Sequence, residues 1–72
     1  MADLEARLSA LGANIRAARE ERAETQAAVA KAIGMQRPDL STIEAGRQNV
    51  TIGTLYRIAD HLGVRAASLL PE

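Results

Sequence analysis

The sequence has no cysteine, tryptophan or phenylalanine, and Tyr56 is its only aromatic residue. Without cysteine, neither a disulfide framework nor a thiolate metal site is open to it, an absence that fits a reducing cytosol. Net charge is missing too: nine Lys and Arg stand against nine Asp and Glu. That balance argues against a strongly basic nucleic-acid coat protein but leaves room for a local basic face. Residues 1–24 hold four Arg and five acids, whereas residues 25–50 hold Lys31, Arg37 and Arg47 against Asp39 and Glu44. The opening "MADLEARLSA" lacks the basic flank and unbroken apolar run of a signal peptide. No apolar stretch approaches the roughly 18 residues that would span a membrane. No run alternates β-branched residues between hairpin turns.

Alanine is abundant, and it favours helix more strongly than any other residue. All-α is therefore the expected class. At 72 residues the chain reads as one domain, and a chain of this size buries only roughly 60% of its unfolded surface. Leu4, Leu8, Leu11 and Ile15 form one stripe of a long first helix. Asp3 is its expected N-cap, and its end falls near Ala23. Gly12 interrupts the stripe at a cost of about 1 kcal/mol relative to Ala, marking close packing or a slight bend.

Thr25 opens a second helix as N-cap, with Val29, Ala30 and Ile33 inward and Gly34 as its stop. A third helix runs from about Gln36 or Arg37 to Ala45, with Leu40 and Ile43 inward and Gly46 beyond it. Pro38 and Asp39 suit the first turn of that helix. Proline surrenders an N–H that has no helical partner there, and the acid meets the positive end of the dipole. Thr51 caps a fourth helix with a stripe of Ile52, Leu55, Ile58 or Ala59, and Leu62, ended by Gly63; "RAASLL" adds a last turn closed by Pro71. The expected architecture is a compact five-helix domain.

Only "GMQ" separates the second and third helices. Two short helices joined so tightly cross steeply rather than run antiparallel, which is helix-turn-helix geometry. The second of the pair then stands proud and can enter a DNA major groove. At this point the segment Thr25 to Gly46, "TQAAVAKAIGMQRPDLSTIEAG", resembles the phage-repressor/Cro-type (XRE) helix-turn-helix family. The resemblance rests on Thr25-Gln26, Ala30, Gly34, Leu40, Ile43, Glu44 and Gly46. It extends to "LGANIRAAREE" and "TIGTLYRIADHLGV", leaving residues 1–10 as an N-terminal helical extension mostly outside it.

The resemblance implies a lambda-repressor-like fold that binds double-stranded operator DNA, usually as a homodimer, to repress or activate transcription. It makes the third helix the recognition helix, with Gln36, Arg37, Pro38, Ser41 and Thr42 facing bases. Arg37 can fork onto guanine O6 and N7, a pairing worth roughly 1–3 kcal/mol of discrimination; a solvated or phosphate-bound arginine is the plainer account. Gln36 either pairs with adenine or caps the helix. Pro38 can offer only apolar contact, and Ser41 and Thr42 can touch bases or a thymine methyl. Thr25 and Gln26 sit where a helix start attracts phosphate. Arg47, Gln48 and Asn49 are similarly placed in the following loop, where phosphate contacts set register without reading sequence.

The resemblance also pairs Arg19 with Glu44 as an internal ion pair, making Glu44 structural rather than catalytic. Similarity to stand-alone members such as restriction-modification controller proteins implies a dimer through the fourth and fifth helices, with Tyr56, Val64, Ala67 and Leu70 as candidates. It further implies a cytoplasmic, nucleoid-associated protein. His61 has no partner at metal spacing and reads as a surface helix position. Glu20, Glu21 and Glu24 beside Arg16, Arg19 and Arg22 read as a solvated mixed-charge face. "NVT" at 49–51 fits a glycosylation pattern by chance. No phosphate loop or nucleophile–base pair is visible, so neither an enzyme nor a cofactor is expected. Two alternatives stay open: an antitoxin that binds a toxin and its own promoter, and a helical interaction module that does not bind DNA. Beside operator DNA and a second copy, a protein partner stays open as well, a toxin or a polymerase.

Overall fold

Alanine, leucine, arginine and glutamate dominate residues 2–21, all strong helix formers, and they make one continuous helix, α1 (Ala2–Glu21). In the computed structural model, which describes residues 2–71, four further helices follow: α2 (Gln26–Ile33), α3 (Arg37–Glu44), α4 (Ile52–Leu62) and α5 (Ala66–Leu69). Met1 and Glu72, the outermost positions of the expected domain, lie outside the described residues. The all-helical fold expected from the sequence is the one observed. The N-terminal extension is no separate element; it is the first half of α1.

The helix boundaries follow from local chemistry. Thr25 and Thr51 accept hydrogen bonds from the Ala28 and Thr54 amides at 3.0 and 3.1 Å, satisfying orphan donors at the starts of α2 and α4. Gly34 and Gly63 end those helices in the left-handed conformation, with φ of 73° and 70°. Asp3, expected as the first N-cap, instead lies inside the first turn of α1, where its carboxylate meets the positive dipole end and pairs with Arg7. The helix ends at Glu21 rather than Ala23. Ala23 takes the left-handed position with φ 56°, while the Ala23 and Glu24 amides donate to the Glu20 and Arg19 carbonyls. This is a glycine-type helix stop formed on alanine, at a cost of about 1–2 kcal/mol. Likewise α3 ends at Glu44, with Ala45 as its C-cap.

The core gathers Leu11 and Ile15 of α1, Val29 and Ile33 of α2, Leu40 and Ile43 of α3, and Leu55, Ile58, Ala59 and Leu62 of α4, with Leu69 of α5 closing it. The stripe expected on α1 splits. Leu11 and Ile15 are buried, Leu8 is half-buried, and Leu4 remains 55% exposed because the body ends before its turn. Ile52, expected inward on α4, is 63% exposed. It is the first residue of its helix, and the buried face begins one turn later at Leu55.

Two polar ties fasten the ends of the bundle. Asn14 Nδ2 donates to the Leu69 carbonyl at 2.9 Å, anchoring α5 to α1, and Arg57 Nη1 donates to the Ile33 carbonyl at 3.0 Å at the end of α2. A third was not expected: His61 is no plain surface position, because its Nε2 lies 2.8 Å from Glu24 Oε1. Arg22 Nε holds the other carboxylate oxygen at 3.0 Å. Glu24 is consequently half-buried and joins the α1–α2 turn to the end of α4, unlike the exposed Glu20 and Glu21.

Gly12 resolves as a close approach. A Cβ there would lie 2.5 Å from the Glu44 carbonyl oxygen and 2.8 Å from its carbon, and would also collide with the Ile43 carbonyl. These obstacles are backbone atoms, which cannot swing aside. Gly12→Ala is therefore expected to lower stability by about 1–3 kcal/mol despite the better helix propensity of alanine. Thermal melting should show this as a fall in Tm of several degrees. Gly53→Ala, in open space on α4, should leave Tm level or raise it; equal effects at both sites would contradict the close packing.

The Glu24 cluster makes a pH prediction. Its hydrogen bond from His61, and then that from Arg22, hold the Glu24 carboxyl below its ordinary value of 4.5. A depressed folded value stabilises fully above the unfolded value and is lost as pH falls through the lower folded one. Acid denaturation of Glu24→Gln should thus show a shallower loss of stability below about pH 4.5 than the parent chain. An identical acid limb would count against the clamp.

Candidate nucleic-acid interface

The three residues between α2 and α3 are Gly34, Met35 and Gln36. Gly34 turns the chain with its positive φ, and Met35 is half-buried against the core. Gln36 begins α3 as N-cap in extended conformation, yet its side chain makes no cap hydrogen bond. Of the two roles open to Gln36, capping by its side chain is therefore not the one adopted. Pro38 occupies the second helical position and Asp39 the third, both exposed in the first turn. The proline costs nothing there because that N–H has no intrahelical acceptor.

The back of α3 is fixed by an ion pair. Arg19 Nε and Nη2 donate to Glu44 Oε2 and Oε1 at 2.7 and 3.0 Å, a bidentate pairing that matches fork to carboxylate. Both residues are buried, and the Glu44 bond raises the pKa of the guanidinium above its ordinary value, against the opposing effect of burial. Arg19 Nη1 also donates to the Glu24 carbonyl at 2.7 Å. Gln26 Nε2 donates to Glu44 Oε1 at 2.9 Å. One carboxylate near the end of α3 is thus gripped from α1 and α2 together. The Arg19–Glu44 pair was expected; the part of Gln26 was not, and no spacing in the sequence signals it. Gln26 is half-buried with one amide hydrogen committed inward, which leaves the other uncommitted among the described residues.

The opposite face of α3 is open. Gln36, Arg37, Pro38 and Thr42 are exposed and Ser41 is half-buried. Arg37 forms no hydrogen bond or ion pair with the described residues, so its five donors face outward. Arg47, Gln48 and Asn49 are exposed in the loop beyond Gly46. That loop is carried close to α1, since a Cβ on Gly46, whose φ is 75°, would lie 2.6 Å from the Ser9 Cα. Two of the expected sets meet here: Thr42 Oγ1 lies 2.5 Å from Gln48 Oε1. Thr25 is exposed, and its hydroxyl oxygen is already engaged as the α2 cap.

Away from this face, Tyr56, Ala67 and Leu70 are exposed, whereas Val64 packs partly against the core. Ile52 and Tyr56, four residues apart, share one face of α4. Among the described residues no group of three or more His, Cys, Asp or Glu side chains can hold a metal, and no helix is long and apolar enough to cross a membrane.

Residues 10–71 match a family model described as a helix-turn-helix domain. An uncharacterized HTH-type transcriptional regulator, y4dJ, of Sinorhizobium fredii is 38% identical over 60 residues, covering 83% of this chain and 78% of that protein. The immunity repressor protein of Bacillus phage phi105 is 34% identical over 62 residues, which span 86% of this chain but only 43% of the repressor. Among solved structures, the restriction-modification controller protein C.AhdI from Aeromonas hydrophila superposes with a TM-score of 0.89 at 25% identity. The match covers 94% of this chain and 99% of that one.

Removing Glu44 strands a buried guanidinium. Glu44→Ala is expected to cost about 3–5 kcal/mol, measured by chemical denaturation, a large part of the roughly 5–15 kcal/mol that holds a small domain together. Replacing both partners with apolar residues, Arg19→Met with Glu44→Leu, should recover part of that loss. An unchanged midpoint in Glu44→Ala would refute the stabilising pair.

Proposed function

The chain belongs to the helix-turn-helix domain family, and on that premise we propose that it regulates transcription by binding operator DNA sequence-specifically as a symmetric dimer. Residues 1–72 act as one helix-turn-helix unit, with α3 in the major groove. The observation that carries this reading is the exposed, unengaged Arg37 at the start of a helix whose back is locked by the Arg19–Glu44–Gln26 cluster. A rigid helix gives the guanidinium a defined position, and bidentate contact with guanine requires one. Gln36, Pro38 and Ser41 supply the neighbouring base contacts. Thr25, Gln26, Arg47 and Asn49 engage the phosphates that set register.

Dimerisation runs through α4 and α5. Tyr56, Ala67 and Leu70, together with Ile52, offer apolar surface that a second copy covers, and Val64 supports it from beneath. A two-fold dimer places two α3 helices in successive major grooves, about one helical turn apart. The work is recognition, not catalysis, and needs no cofactor. Such a regulator acts in the cytoplasm at the nucleoid. The neutral formal charge keeps the number of phosphates neutralised per subunit small, and the salt dependence shallow.

Selection of sites from random duplex DNA tests all of this together. The expected result is an enriched two-fold symmetric sequence with guanine at one position of each half-site. Arg37→Ala should then lose roughly 1–3 kcal/mol of discrimination at that position while melting like the parent. No enrichment at moderate salt would overturn the reading, and an asymmetric site would remove the dimer from it.

A further inference from the structure

The contact between Thr42 and Gln48 assigns each a role that neither has alone. Thr42 Oγ1 lies 2.9 Å from the Asp39 carbonyl oxygen and 2.5 Å from Gln48 Oε1, but a hydroxyl has one hydrogen and can donate to only one of them. The distances decide which. A separation of 2.5 Å lies at the short end of the O–H···O range and is too short for N–H···O, so an amide turned over to present its nitrogen would not fit. The Asp39 carbonyl has another donor besides, because the fourth residue on in a helix supplies its N–H. The proton of Thr42 therefore goes to Gln48, and the amide NH2 of Gln48 keeps both hydrogens unpaired among the described residues. Both side chains are exposed, on the open face of α3 and in the loop beyond it.

From this we infer, resting on the proposal that α3 enters DNA, that Thr42 and Gln48 act as one reading unit. Thr42 is the positioning residue; it spends its hydroxyl proton on Gln48 and retains only its methyl group and oxygen lone pairs for direct contact. Gln48 is the reader. Its oriented NH2 donates to a hydrogen-bond acceptor on the duplex, either a base-edge oxygen or nitrogen or a phosphate oxygen. The donor capacity assigned from sequence to Thr42 is in effect carried out to Gln48, and the loop extends the recognition surface past the end of the helix. A neutral amide displaces no counterion, so its contribution is independent of salt, unlike that of Arg37 or Arg47.

A double-substitution cycle on operator affinity tests the unit, with the site chosen by selection with the parent chain. Thr42→Val keeps shape and methyl but removes the proton; Gln48→Ala removes the donor. Each should weaken binding about fivefold to thirtyfold, and the double variant should be no weaker than the singles within about twofold. Thr42→Ser should restore parental affinity. Gln48→Glu, which keeps an acceptor for Thr42 but replaces NH2 by a charged oxygen, should bind more weakly than Gln48→Ala. The source of the acceptor separates cleanly. A base contact relaxes preference at one position of the site in Gln48→Ala; a phosphate contact weakens all sequences alike. In both cases the slope of affinity against salt stays parental. A parent chain that enriches no site overturns the DNA-reading proposal and this inference with it. A parent that binds while the two substitutions contribute independently, or while Thr42→Ser fails to restore affinity, overturns the pairing alone.

Discussion

The Glu44 carboxylate is the point through which three helices are held in one arrangement. It accepts two hydrogen bonds from Arg19 of α1 and one from Gln26 of α2 while sitting at the end of α3. Few groups in a chain this small can do so much. Taking a carboxylate and a guanidinium out of water is costly, and the cost is offset only when the geometry is close and the remaining polar atoms find partners. Here they do: no buried side-chain nitrogen or oxygen among the described residues lacks a partner. The result is directional in a way that apolar packing is not. Leucine and isoleucine contacts hold α3 against the core, but a fork-to-carboxylate bond also fixes how the helix is rotated, and hence which residues face out.

Close packing reinforces this. Gly12 lets α1 touch the backbone of α3 at Ile43 and Glu44, and Gly46 brings the following turn against Ser9. Helix α3 is thus pressed at its far end and left free at its start, where Gln36, Arg37 and Pro38 emerge. Arg22, Glu24 and His61 add a second polar tie beside the Arg19–Glu44 pair, between the α1–α2 turn and α4, and Arg19 Nη1 links the two through the Glu24 carbonyl. A neutral, cysteine-free chain with a modest core relies on such ties to give a defined surface to whatever it binds.

Much of this was legible in the residues. The capping threonines, the glycine stops after α2 and α4, and the proline in the first turn of α3 are local devices, and they behave as local chemistry dictates. The buried positions Leu40, Ile43, Leu55 and Leu62 follow from periodicity. Periodicity failed at the edges. Leu4 and Ile52 continue their stripes in sequence but lie where no other helix reaches them, and a pattern cannot say where the body of the protein stops. Ala23 hid a left-handed turn because nothing about alanine announces one. His61 looked solitary because its partner, Glu24, is 37 positions away.

The candidate site divides along the same line. Sequence by itself determined the helix-turn-helix, the composition of α3 and, through family resemblance, the Arg19–Glu44 pair; helix caps, turns and apolar spacing act over a few residues and are written into the chain locally. Only the tertiary structure decided that Gln26 turns inward to Glu44, that Gln36 leaves its cap unused, and that Thr42 lies within hydrogen-bond distance of Gln48. Those outcomes depend on distances of 2.5–2.9 Å between side chains on different elements. A hydrogen bond forms or fails over a few tenths of an ångström, a precision set by the packing of the whole molecule and carried by no single stretch of sequence.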